Sequence, residues 1–75
     1  MPPKNRDLER RLKRAGFKLD PKRGKGSHRW YEHPKLPGII VELAGQLGDD
    51  AKHYSIREVA EALEVVRTLD LEDRG

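Results

Sequence analysis

The chain reads as an α+β two-layer domain, a three-stranded antiparallel meander with two helices on one face, in the order α-β-β-β-α. Three observations predict it. Leu8, Leu12 and Ala15 form a helical stripe near the start, and Ile56, Val59, Ala60, Leu63 and Val66 form another near the end. Three short alternating or β-branched segments lie between them, separated by glycine- and proline-bearing turns. With 75 residues the core must be small. It draws on the two stripes, Phe17, Leu19, one or both of Trp30 and Tyr31, and the Ile39–Leu43 run.

The first helix is expected over Arg6 to Ala15, with Asn5 as N-cap, Asp7 in the first turn and Gly16 ending it. Phe17-Lys18-Leu19-Asp20 alternates and reads as strand 1, with Phe17 and Leu19 inward. Pro21 to Gly26 forms a turn, Ser27 to His33 strand 2, Pro34 to Gly38 a second turn, and Ile39 to Leu43 strand 3. Gly45 to Tyr54 is a polar loop. Ser55-Ile56-Arg57-Glu58 has the form of a capping box, opening a second helix that runs to about Thr68. Residues 4–68 are thus one domain, and residues 69–75 an acidic, flexible tail.

Charge is unevenly distributed. Residues 1–37 hold 12 Lys/Arg and 4 Asp/Glu, whereas residues 38–75 hold 4 and 9. A basic first half suits a polyanionic partner such as nucleic acid. The absence of cysteine excludes disulfides and thiolate metal sites and fits a reducing cytoplasm. No apolar run reaches membrane-spanning length, and the N-terminus has no apolar signal region, so a cytoplasmic location is expected.

The chemistry concentrates in Gly24-Lys25-Gly26-Ser27-His28-Arg29-Trp30-Tyr31-Glu32-His33-Pro34. Gly24 and Gly26, with Ser27, shape a turn whose N–H groups can face an anion, and Lys22, Arg23, Lys25 and Arg29 add positive charge. His28 follows directly, and imidazole exchanges protons near neutral pH. Phosphate binding beside a proton-transfer group is what RNA cleavage requires, because the 2′-OH can attack the neighbouring phosphodiester once a base removes its proton. Strand alternation sends His28, Trp30 and Glu32 to one face and Arg29, Tyr31 and His33 to the other. One aromatic is therefore core and the other stands on the open face, where it could stack a base. His33 reads as a packing or capping residue before Pro34.

Other chemistries fit less well. His28 and His33 face opposite ways and His53 is in a distant loop, so no metal set is expected. Ser27-His28 lacks an orienting acid, and Gly-Lys-Gly lacks the Walker spacing. A non-catalytic RNA-binding module and a protein-interaction domain with an acidic second half remain open alternatives.

Leu12-Lys13-Arg14-Ala15-Gly16-Phe17, Lys25-Gly26-Ser27-His28 and Tyr31-Glu32-His33-Pro34, followed by a hydrophobic strand, resemble the HicA (YcfA-like) mRNA interferase toxins. The resemblance covers about Leu8 to Val66. It implies a double-stranded RNA-binding-domain-like fold and metal-independent, cofactor-free cleavage of mRNA by the toxin of a type II toxin–antitoxin system. It assigns the catalytic histidine to His28 and implies a HicB-like antitoxin as partner.

Overall fold

The computed structural model describes residues 1–22 and 28–74. Their elements are α1 (Asn5–Arg14), β1 (Lys18–Leu19), β2 (Arg29–His33), β3 (Leu36–Leu43) and α2 (His53–Arg74). The strands form one antiparallel sheet in the order β1-β2-β3, so the expected α+β architecture holds.

The pleat sorts the side chains as the alternation requires. Tyr31 and His33 of β2, with Val41 and Leu43 of β3, turn inward and are buried. Leu8 and Leu12 of α1 meet them, together with Phe17 and with Val59, Ala62 and Val66 of α2. Trp30, Glu32, Ile40 and Glu42 take the opposite parity and form the open face.

Several boundaries differ from expectation. Leu19 pairs with Tyr31 on the inner side but stays 38% exposed, because β1 is only two residues long and lies at the sheet edge. β3 begins at Leu36, paired with His33 across a tight Pro34-Lys35 turn. The next regular pair is Glu32 with Ile40, so Pro37, Gly38 and Ile39 bulge from the ladder. α2 starts at His53, two residues before the expected cap, and Ser55 is wholly buried. Ser55, Val59, Ala62 and Val66 make the inner stripe at spacings of four, three and four, which leaves Ala60 exposed. The helix then continues past Thr68 to Arg74.

Two contacts lock the layers. Asn5 does not cap α1 with its side chain. It is buried, and its amide donates to the carbonyls of Ala44 and Gln46, each at 2.9 Å. The Asn5 and Arg6 N–H groups donate to Asp49 and Leu47 carbonyls, both at 3.0 Å, so loop carbonyls satisfy the donors that a cap would otherwise serve. At the other end of α1, His33 donates from Nε2 to the Ala15 carbonyl (2.9 Å) and accepts the Lys35 N–H at Nδ1 (3.1 Å). Its ring meets Phe17 edge-on, with centroids 5.1 Å apart. Gly16 makes room for that ring: its φ is +102°, and a Cβ would stand 2.8 Å from His33 Nε2. Gly16→Ala should therefore cost about 2 kcal/mol, lowering the thermal midpoint by roughly 10 °C. An unchanged melting curve would refute this account.

Inside the core, the Tyr31 hydroxyl donates to the Glu9 carboxylate, which also lies near Lys13 (3.5 Å) and Arg29 (3.8 Å). Burial, and then the Glu9 carboxylate, pushes the phenol well above its ordinary range. The unfolded chain loses this proton first, near pH 10, so stability conferred here is complete below that pH and declines as pH rises further. Tyr31→Phe should unfold with a shallower loss of stability between about pH 10 and 11.5 than the wild type. Parallel stability curves in urea across that range would contradict it.

Candidate active site

His28 stands immediately before β2, with its side chain 50% exposed. Its Nδ1 lies 3.0 Å from Oε2 of Glu42. Glu42 pairs with Trp30 across the β2–β3 ladder, one diagonal step from His28, so all three occupy the open face. An ionised carboxylate only accepts, which places the imidazole proton on Nδ1 and leaves the Nε2 lone pair directed away from Glu42. A histidine held in one tautomer, on a side chain half exposed to solvent, is arranged to take up or deliver a proton.

Lys22, the described residue that precedes the basic run, is near the same end of the sheet. The Asp20 N–H donates to the Trp30 carbonyl at 2.8 Å, extending the β1–β2 pairing by one residue. Lys22 lies two residues beyond that closing pair and His28 two residues before it. Lys22 is exposed, and its N–H donates to the Asp20 carboxylate at 2.9 Å, an Asx-type turn that directs the chain out of the sheet. Arg23, Gly24, Lys25, Gly26 and Ser27 fall outside the described residues.

Arg29 is not brought to His28. It points to the helical side, where its guanidinium is 3.8 Å from Glu9. His33 is committed to the Ala15 and Lys35 backbone, as its packing role anticipates. Of the aromatics, Tyr31 is core and Trp30 is the half-buried one on the open face. Among the described residues no three His, Asp or Glu side chains cluster as a metal site would require.

Sequence reasoning missed Glu42, although a signal existed. The expected turn at Pro34–Gly38 would pair His33 with Ile39, and counting back along both strands from there sets Trp30 opposite Glu42, as observed. The orienting acid was therefore on strand 3 and not adjacent to the histidine in sequence.

No helix among the described residues is long and apolar enough to cross a membrane. No curated protein matches the chain. The family described as "HicA toxin of bacterial toxin-antitoxin" matches residues 6–65, which take in α1 from its second residue, the whole sheet and the first half of α2. With the α-β-β-β-α order and the motif-bearing segments falling inside that match, the chain belongs to the HicA toxin family of bacterial toxin–antitoxin systems.

Proposed function

We propose that this toxin is a metal-independent endoribonuclease that cleaves mRNA in the cytoplasm and is restrained by a HicB-like antitoxin. The observation that carries the reading is the hydrogen bond between His28 and Glu42 on an open sheet face. Nε2 of His28 takes the proton from a ribose 2′-OH, whose oxygen attacks the adjacent phosphorus. Glu42 stabilises the imidazolium that forms, as a carboxylate does in other acid–histidine pairs. The P–O5′ bond then breaks and the imidazolium returns its proton to the leaving oxygen. The products are a 2′,3′-cyclic phosphate and a 5′-hydroxyl.

Charge developing on the phosphoryl oxygens is met by Lys22, Arg23 and Lys25, with N–H groups of the turn at Gly24, Gly26 and Ser27. Trp30 offers a stacking surface beside the reacting ribose. Arg29, turned to Glu9, ties α1 to β2 and has no assigned phosphate contact.

Wild-type protein should cleave a long mRNA in EDTA. His28→Ala, verified as folded, should lose at least about 100-fold in rate while retaining RNA affinity. Glu42→Gln keeps the size of the side chain but removes its charge, and should lose roughly 10- to 100-fold. Equal cleavage by wild type and His28→Ala would sink the assignment. Binding with no cleavage by any of the three proteins would instead identify a non-catalytic RNA-binding module.

A further inference from the structure

Four glutamates of the acidic second half, Glu58, Glu61, Glu64 and Glu72, lie beside one edge of the sheet. β3 is the last strand in the order and, among the described residues, pairs only with β2. Its outer edge opens onto α2. Ile39, Ile40 and Val41 line a groove of about 250 Å³ there with Glu58, Glu61 and Val65. Ile40 and Val41 are regularly paired and point to opposite faces, so they can line one groove together only along the strand's edge. A second groove of about 520 Å³ shares Glu61 and Val65 and continues past Leu36 to Leu69 and Glu72. The two adjoin at Glu61 and Val65.

This surface is apolar on its floor and acidic on its rim. Val65 is 40% exposed, and Leu36 and Leu69 are partly covered. Glu64 already pairs with Arg67 at 2.6 Å, and Glu58, Glu61 and Glu72 carry further negative charge. Phosphate is repelled here, so nucleic acid is not the occupant. A second copy fits poorly. Pairing β3 with itself across a two-fold axis would bring the glutamates of α2 together. The outward face of α1 offers only charge, because its apolar residues Leu8 and Leu12 are fully buried.

We propose that the free edge of β3 and the adjoining α2 groove receive an extended, cationic segment of another polypeptide by strand addition, its alternate apolar side chains seated toward Val65 and Leu36. An exposed edge supplies backbone donors and acceptors for a ladder, and a groove beside it selects alternate side chains. A helical ligand would fill the groove but leave the edge unpaired. The proposal does not depend on RNA cleavage.

The test uses the full chain and a labelled peptide of alternating Lys and Val, about eight residues long to match β3. Saturable binding is expected, with amide NMR shifts concentrated at residues 39–43 and along α2. Val65→Asp and Glu61→Lys should each weaken it at least about tenfold. Asp70→Lys makes the same charge change as Glu61→Lys away from the groove and should have little effect. Two further peptides, N-methylated on one or the other set of alternate residues, separate backbone docking from side-chain docking, because only one edge of the added strand faces β3. One should lose binding and the other retain it. Equal binding by both, equal weakening by Asp70→Lys, or absence of saturable binding would each overturn the proposal. So would a dimer in solution that Val65→Asp dissociates, since the edge would then belong to a second copy.

Discussion

Burial of Tyr31 and His33 on the inner face of β2 decides which way His28 points. A strand has a side-chain period of two, so slipping β2 by one residue would turn Trp30 and His28 into the core and expose Tyr31. Several contacts oppose that slip together. The Tyr31 hydroxyl is bound to Glu9, the His33 ring is clamped between Ala15 and Lys35, and Gly16 leaves the space that ring occupies. The Ala-Gly-Phe and His-Pro segments, far apart in sequence, are two halves of one joint. That joint is structural, yet it sets the parity that puts the proposed catalytic imidazole on the open face.

Acidic residues in this chain do three different jobs, so net charge by half says little about function. Glu9 is enclosed, partnered by Tyr31, Lys13 and Arg29, and ties α1 to β2. Glu42 is on the open face and fixes the orientation of His28. The glutamates of α2 line the helical layer of a molecule whose shortest dimension is 17 Å. The Debye length is about 8 Å at physiological ionic strength, so those glutamates that lie farther than this from the open face have little hold on a phosphate there. An acidic second half and an RNA-cleaving face are therefore compatible on one small domain.

The fold was legible because its signals are local. Leu8 and Leu12, the alternation through Trp30 and Tyr31, and the β-branched run at Ile39–Val41 each declare their element within a few residues. What escaped depends on partners distant in the chain. Asn5 looks like an N-cap until the Leu47 and Asp49 carbonyls take the helix N–H groups and those of Ala44 and Gln46 take its side-chain amide. Ser55 and Glu58 have capping-box spacing, yet Ser55 serves as a small residue in the buried stripe of α2. His28 could be singled out from the Gly-Ser-His run and its basic surroundings. Its orienting acid could not be seen nearby, because Glu42 reaches it only through the β2–β3 register. The sites most dependent on tertiary pairing are thus the ones a linear reading underestimates.

β3 connects the two surfaces of this molecule. Glu42 projects from its open face toward His28, while its outer edge adjoins the α2 groove. Strands in a sheet lie about 4.8 Å apart, so a segment added to that edge would run immediately beside Glu42 and Ile40. Its outward side chains would extend the open face on which RNA is proposed to lie. If those side chains were cationic they would compete with His28 for the Glu42 carboxylate, and if bulky they would narrow the approach to Nε2. A partner docked by backbone pairing at the edge would therefore act on the reaction centre through a single strand, with no change required in the fold.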